Sequence, residues 1–358
     1  MFIKRYAALS FALIAWGAGL SAGDRSVAIT TFDVPGALGT FGSSINQAGT
    51  IAGYWVDSGK VYHGFVRTSG GTITTFDAPG AATTAGLGTL AYSVNSAGAV
   101  AGSYADSSNI YHGFALSSSG VFTIINAPGT ISAPGKNTFA RSINDAGAVT
   151  GYYQDTNAIT HGFLSAADGT ITSFDAPNAG AGESQGTYGI SIDDAGVVAG
   201  YYADEFFVYH GFQLAASGTV TEFDAPGAGK GPDQGTYASA MNASGTVVGN
   251  YTNGGTQGFV LTAGGASTSF NIAGAGSLGT SPTAINSGGA VTGFYGLKSA
   301  AYQGFVRSAK GVIATFQVSG AGTTSYLGTF PCSINQAGVV TGYYTDAKGK
   351  AHGFVLTQ

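Results

Sequence analysis

The segment Ser142–Phe163, SINDAGAVTGYYQDTNAITHGF, recurs seven times along the chain with small changes. Each copy begins near an Asn or Asp that precedes a glycine by three residues, and it ends on a His-Gly-Phe or Gln-Gly-Phe unit. The Asn or Asp positions are Asn46, Asn95, Asn144, Asp193, Asn242, Asn286 and Asn335. The closing units begin at His63, His112, His161, His210, Gln257, Gln303 and His352. Their spacing of 46 to 49 residues is typical of propellers and solenoids.

One repeat, residues 137–178, contains four short runs with the composition of β-strands. Asp145-Ala146-Gly147 and Ala167-Asp168-Gly169 are typical of tight turns between such runs. No helical periodicity separates them. Four strands joined by hairpins form one propeller blade, so we predict an all-β fold, a seven-bladed β-propeller of four-stranded blades. The predicted blades are residues 39–80, 88–129, 137–178, 186–227, 235–274, 279–320 and 328–358.

The two ends of the repeat array complement each other. Residues 26–35 have the composition of a fourth strand, and residues 352–358 that of a third strand. A ring closed by the N-terminal strand completing the last blade would explain both ends and would leave no open sheet edge. We therefore expect residues 24–358 to form a single β-propeller domain.

Residues 1–23 have the pattern of a signal peptide, with Lys4 and Arg5 before an apolar run and small residues at its end. We expect a bacterial periplasmic or extracellular protein with no membrane span after signal cleavage. The net charge of −5, without a basic patch, argues against nucleic-acid binding. Cys332 is the single cysteine, so no intrachain disulfide can form, and we expect it to be a small buried side chain.

The order Asn-x-x-Gly, Val-x-Gly-Tyr-Tyr and His-Gly-Phe resembles the extracellular repeat family named for its His-Ala-Phe motif, and the resemblance covers all seven periods. This chain departs from that pattern with Gly in place of Ala, as in His63-Gly64-Phe65, and with Gln257 and Gln303 in place of His. The resemblance implies a secreted bacterial protein with propeller-like repeats. It implies no established activity.

The five histidines all lie in the closing units, one per blade, and so cannot converge on one metal ion. An Asp precedes each of them by six residues and is absent from both Gln-containing repeats. We predict structural Asp–His contacts across a hairpin, the alternative being five general-base pairs. The predicted pairs are Asp57–His63, Asp106–His112, Asp155–His161, Asp204–His210 and Asp346–His352. The Asp of the recurring Phe-Asp unit, as at Asp77 and Asp175, is expected to cap the crossover turn.

One position of the first strand breaks the repeat symmetry. It is occupied by Ser43, Tyr92, Arg141, Ile190, Ser239, Thr283 and Cys332. First strands lie nearest a propeller's axis, so Arg141, the single charge in this set, is a candidate for an anionic ligand in an axial pocket. The alternative is an arginine bonded to carbonyls of a neighbouring blade. Further candidate ligand-binding residues are Tyr92 and the crossover residues Lys136, Glu183, Lys230 and Asp233.

These features favour a secreted or periplasmic binding or scaffold module with its ligand at the axial pocket and the crossover-loop rim. The ligand would be a carbohydrate, a peptide or a protein, and we expect a monomer with no catalytic residues, no cofactor and no metal. One alternative is a lyase or hydrolase using the axial pocket, as streptogramin lyase does on its propeller. Another is a purely structural cell-surface repeat protein.

Overall fold

The computed structural model describes residues 27–129 and 137–357. These residues contain strands and turns and no helix. The first strand, β1 (Ala28–Phe32), stands apart in sequence from the groups of four that follow. Group one is β2 (Gly39–Ile45), β3 (Ile51–Val56), β4 (Tyr62–Arg67) and β5 (Ile73–Phe76). Group two is β6 (Thr89–Val94), β7 (Val100–Ala105), β8 (Tyr111–Leu116) and β9 (Phe122–Ile125).

The later groups repeat this order of strands. Group three is β10 (Thr138–Ile143), β11 (Val149–Gln154), β12 (Thr160–Ser165) and β13 (Ile171–Phe174). Group four is β14 (Gly186–Ile192), β15 (Val198–Ala203), β16 (Tyr209–Leu214) and β17 (Val220–Phe223). Group five is β18 (Gly235–Met241), β19 (Val247–Thr252), β20 (Thr256–Leu261) and β21 (Ser267–Phe270). Group six is β22 (Ala275–Ile285), β23 (Val291–Leu297), β24 (Tyr302–Arg307) and β25 (Ile313–Phe316). Group seven is β26 (Gly328–Ile334), β27 (Val340–Thr345) and β28 (Ala351–Thr357).

Each group is an antiparallel meander with hairpin connections. In group seven the fourth position is taken by β1, which pairs antiparallel with β28 from Ala28 opposite Thr357 to Phe32 opposite Gly353. Strand β22 begins at Ala275, earlier than the repeat predicts, because Ala275 pairs with Leu297 beyond an additional register shift.

Side-chain amides join the ends of the first strands of successive groups. The Asn46 carboxamide donates to the Asn95 carbonyl at 2.9 Å, and Asn95 donates in turn to Asn144 at 3.0 Å. This series, which we name the Asn ladder, ends with Asn335 donating to the Asn46 carbonyl at 3.1 Å, so group seven lies against group one. Within the described residues no such bond leads from Asp193 to group five, since an ionised carboxylate has no hydrogen to donate.

The core lies between neighbouring groups. The Phe of every His-Gly-Phe or Gln-Gly-Phe unit is 0% exposed, as Phe163 and Phe212 illustrate. The preceding glycine provides the space for this packing, because a Cβ added at Gly162 would overlap the Phe174 ring of the fourth strand. The glycine that distinguishes this chain from a His-Ala-Phe pattern therefore has a steric cause in the Phe-Asp unit of the same repeat.

Candidate functional site

The position that varies between repeats is a β-bulge in the first strand of each group. In group three the pairing of β10 with β11 shifts between Ala140 and Ser142, so Arg141 has no residue directly opposite it. The same shift skips the corresponding residue of the other first strands. A bulge directs its extra side chain away from the regular alternation of the sheet. A Cβ at Gly151 would overlap the carbonyl oxygen of Phe139 beside this bulge, so the close approach of the two strands requires a glycine here.

Bulged residues from five groups line one cavity of about 520 Å³, which we name the central cavity. These residues are Arg141, Ile190, Ser239, Thr283 and Cys332. The wall is completed by Tyr201, Tyr237, Ala238, Asn250 and Thr252. The first strands thus bring together residues separated by almost two hundred positions in sequence. No Asp, Glu or His belongs to this lining.

The guanidinium of Arg141 is held by stacking. Its Cζ atom lies 4.6 Å from the centre of the Tyr92 ring, which is the bulged residue of group two. Among the described residues it makes no hydrogen bond or ion pair, so the predicted alternative of bonds to neighbouring carbonyls is wrong. The cation therefore reaches the central cavity with its donors unused, since a stacked guanidinium keeps its edge free for hydrogen bonds.

The ionisable groups around the cavity are unsuited to nucleophilic or basic chemistry at neutral pH. Burial raises the pKa of Tyr92 and of Tyr237 to about 12. Burial also raises the pKa of the Cys332 thiol to about 12, so this sulfur stays protonated, in contrast to the low-pKa thiols of cysteine nucleophiles. The cavity offers one cation, hydroxyl and amide groups, and aromatic surface.

The predicted rim residues lie in different places relative to the cavity. The backbone carbonyl of Asp233 accepts hydrogen bonds from Tyr237 at 3.2 Å and from Thr252 at 3.4 Å, so this crossover contacts the cavity wall. Glu183 and Lys230 are exposed on crossover loops and do not line the cavity. Lys136, like the predicted signal peptide at residues 1–23, lies outside the described residues.

Each histidine lies between two side chains. The Asp predicted from the six-residue spacing approaches Nε2, at 3.5 Å for Asp57–His63 and 3.4 Å for Asp106–His112. The corresponding distances are 3.7 Å for Asp155–His161, 3.6 Å for Asp204–His210 and 3.7 Å for Asp346–His352. A shorter contact is made by Nδ1, which donates to a residue of the Phe-Asp unit. These bonds join His63 to Asp77 at 2.9 Å, His161 to Asp175 at 2.9 Å, His210 to Asp224 at 3.0 Å, His352 to Asp33 at 2.8 Å and His112 to Asn126 at 2.7 Å.

The expectation that the Phe-Asp carboxylates cap the crossover turns is therefore wrong. A first-strand threonine does so instead: Val34 N–H donates to Thr40 Oγ1 at 3.1 Å, and Ala176 N–H donates to Thr187 Oγ1 at 3.0 Å. A second spacing in the sequence indicates most of the Nδ1 partners of the histidines. An Asp follows His63, His161 and His210 by fourteen residues, an Asn follows His112 at the same spacing, and the partner of His352 is Asp33 at the other end of the chain. The Gln-containing repeats have Asn271 and Gln317 at this spacing. Nδ1 of each imidazole is thus used in a hydrogen bond within the fold. Nε2 lies 3.4–3.7 Å from its Asp, and Nε2 of His63 has no hydrogen-bond partner among the described residues.

A second cavity, of about 800 Å³, lies at the outer part of group four. Glu222, which stands where other fourth strands have Thr, Ser or Ile, accepts hydrogen bonds from the Asn178 backbone at 3.2 Å and from its carboxamide at 2.6 Å. Asp204 and Asp224 flank His210 in the same wall. Phe206, in the adjoining hairpin, is 65% exposed. The acids of this cavity other than Glu205 thus serve contacts within the fold.

The described residues contain no cluster of three His, Cys, Asp or Glu side chains that could hold a metal ion. Nor does any helix in the described ranges have the length and apolar character needed to cross a membrane.

No protein-family model and no curated protein matches the chain. A structure from an analysis of two prolyl endopeptidases aligns with a TM-score of 0.59 and 13% identity over 89% of this chain. A puromycin hydrolase variant aligns with a TM-score of 0.51 and 11% identity over 89% of this chain. This chain spans only 50% and 55% of those two structures. The six-bladed lectin of Aleuria aurantia aligns with a TM-score of 0.44 and 13% identity, over 77% of this chain and 93% of the lectin. At these identities the similarity concerns the fold, which is all-β and propeller-like.

Proposed function

We propose that this protein is a secreted or periplasmic binding module that holds a small carboxylate ligand in the central cavity. The observation that carries the proposal is the Arg141 guanidinium, which lies at a cavity whose described lining has no acidic residue and which has no hydrogen-bond partner among the described residues. A guanidinium binds a carboxylate through two parallel hydrogen bonds, which are among the strongest that proteins form. A carboxylate is therefore the ligand group that this cavity would bind best.

The proposal includes a closed seven-bladed propeller as the scaffold. It is supported by the repeated groups of four strands, by the pairing of β1 with β28, and by the return of the Asn ladder from Asn335 to Asn46. The proposed compartment is based on the signal-peptide pattern of residues 1–23 and on the resemblance to the His-Ala-Phe repeat family.

Two features favour binding over catalysis and over a purely structural role. An enzyme at this place would need an acid, a base or a nucleophile near Arg141, and the lining offers only a thiol whose raised pKa of about 12 keeps it protonated. A purely structural repeat would have equivalent bulged residues, whereas these range from Ser43 to Arg141. Unequal residues around one cavity are what a single asymmetric ligand requires.

The test compares a carboxylate with a neutral analogue of the same shape. Calorimetric titration with cyclohexanecarboxylate and with cyclohexanecarboxamide should show binding of the acid and at least tenfold weaker binding of the amide. Arg141→Gln should remove this difference, because a hydrogen bond to a charged group contributes about 1.5–3 kcal/mol.

Arg307→Gln is the matched control. The Arg307 guanidinium also stacks on an aromatic ring, with its Cζ atom 5.0 Å from the centre of Phe270, but it does not line the cavity. Equal affinity of wild type and Arg141→Gln for the acid, or no binding of the acid at millimolar concentration, would refute the proposal.

A further inference from the structure

A belt of aromatic rings runs through the groups on the side where the crossovers enter the first strands. In four groups a first-strand ring stacks on the ring directly opposite it in the second strand. These pairs are Phe41–Tyr54 at 4.8 Å, Phe139–Tyr152 at 5.2 Å, Tyr188–Tyr201 at 4.9 Å and Phe330–Tyr343 at 4.9 Å between ring centres. The planes of each pair lie within 28° of parallel, so the belt repeats one stacking geometry.

Group five departs from this pattern. Tyr237 occupies the first-strand position, but the residue opposite it is Asn250. Phe139 in group three has two close ring neighbours, Tyr111 at 4.9 Å and Tyr152 at 5.2 Å. Tyr237 has Tyr209 at 4.6 Å and an edge-on contact with Tyr201 at 5.4 Å, but it lacks the stacked ring opposite it in the second strand. Among the described first-strand rings that have a residue directly opposite them, Tyr237 is the one whose opposite residue is not aromatic.

The missing ring coincides with the central cavity, because Tyr237 and Asn250 both line it together with Arg141. Within the described ranges the side chains of Asn250 and Ser239 have no hydrogen-bond partner. The cavity therefore presents a ring that lacks its usual stacking partner, two unused polar groups and a cation without a counter-ion.

We propose that the ligand is an aromatic carboxylic acid of the hydroxybenzoate type, whose ring takes the place of the missing belt ring beside Tyr237. Its carboxylate binds Arg141, and its hydroxyl group exchanges a hydrogen bond with the Asn250 carboxamide, which can both donate and accept. This inference rests on the proposed carboxylate-binding function and adds the ring to it. A planar ring is favoured because stacked aromatic pairs gain stability beyond the area that they bury.

The experiment uses 4-hydroxybenzoate and cyclohexanecarboxylate, two acids of similar size of which only the first is planar and aromatic. In calorimetric titration, wild-type protein should bind 4-hydroxybenzoate about fivefold more tightly or better, as the energies of aromatic pairs imply. Asn250→Tyr should abolish this preference, because the new side chain fills the place with the residue that stands there in other groups, such as Tyr152 and Tyr201. Thermal unfolding should show that Asn250→Tyr is folded.

Thr268→Tyr is the control, since it adds a tyrosine to an exposed position of β21 in the same group, outside the central cavity. It should retain the preference. Equal binding of the two acids by wild type, or an unchanged preference in Asn250→Tyr, would overturn the aromatic inference and leave carboxylate binding by Arg141 intact. Failure of both acids to bind would overturn the two proposals together.

Discussion

The Phe174 ring covers Gly162 so closely that a Cβ atom at this glycine would overlap the ring. We expect Gly162→Ala to destabilise the protein by about 1–3 kcal/mol, the usual cost of forcing an extra carbon into a packed site. The measurement is the shift of the urea unfolding midpoint at constant m value.

Gly113→Ala is the matched control for this substitution. Gly113 occupies the same place in group two, where Ile125 replaces the phenylalanine, and an added Cβ would meet its nearest atoms at 3.2 Å. We expect Gly113→Ala to cost less than Gly162→Ala, because small shifts relieve contacts of this length. If the two variants lost the same free energy of unfolding, the Phe174 ring would not be the reason why a glycine is required at position 162.

Asp193 interrupts the Asn ladder, and the ladder predicts the effect of repairing it. Asp193→Asn supplies the amide that can donate to the Asn242 carbonyl, as Asn144 donates to Asp193 at 3.0 Å. We expect a gain of about 0.5–1.5 kcal/mol in the free energy of unfolding, the usual contribution of one hydrogen bond.

Asn144→Asp makes the reverse change and should destabilise. It removes the donor to the Asp193 carbonyl but keeps the oxygen that accepts from Ala148 N–H at 2.8 Å. Denaturant unfolding of both variants measures the effects. A loss of stability in Asp193→Asn would show that the ladder does not behave as a set of equivalent links.

The turn carboxylates predict a loss of stability in acid. The Val61 amide, followed by His63, lowers the pKa of Asp57, and the amides of Lys350 and Lys348 together with His352 lower the pKa of Asp346. Unfolded aspartates titrate near pH 3.9. A pKa that is lower in the folded state stabilises the protein above that pH, and the contribution disappears as the pH falls through the folded pKa. Unfolding free energy should therefore decrease from about pH 4 downwards.

The double variant Asp57→Asn/Asp346→Asn should be less stable than wild type at pH 7 and should lose less stability on acidification. Urea unfolding at several pH values between about 2.5 and 7 measures how strongly the free energy of unfolding depends on pH in each protein. Glu205→Gln, which changes an exposed acid remote from these two turns, is the control. The same pH dependence of the unfolding free energy in wild type and in the double variant would show that Asp57 and Asp346 do not cause the loss of stability in acid.

The cysteine offers a test of the cavity wall. Because burial raises the pKa of Cys332 to about 12, only about one thiol in ten thousand is ionised at pH 8 in the folded protein. We expect iodoacetamide to modify native protein far more slowly than protein in denaturant, with mass spectrometry as the readout. Similar rates in both states would show that the thiol, which lines the central cavity and is half-buried, reacts as readily there as in the unfolded chain.

Much of the strand order follows from the sequence, because turns with glycine and runs of β-branched and aromatic residues recur at a fixed spacing. Arg141 was a candidate because it is the single charged residue at the first-strand position that varies between repeats. Cross-strand register is different, since composition does not reveal which residues lie opposite each other. The bulge at Arg141 and the pairing of Tyr237 with Asn250 therefore required coordinates. The second partner of His161 was visible as a fourteen-residue spacing, but local capping of a turn by Asp175 explained that residue equally well.

The bulged residues of the first strands have one more consequence. A side chain that has no cross-strand partner and does not enter the core between groups can be exchanged without disturbing the strand pairing or the core. Serine, isoleucine and arginine all occur at this position. Specificity in this architecture can thus diverge one side chain at a time while the scaffold stays the same. A library randomised at these positions would sample many different receptors on a single stable framework.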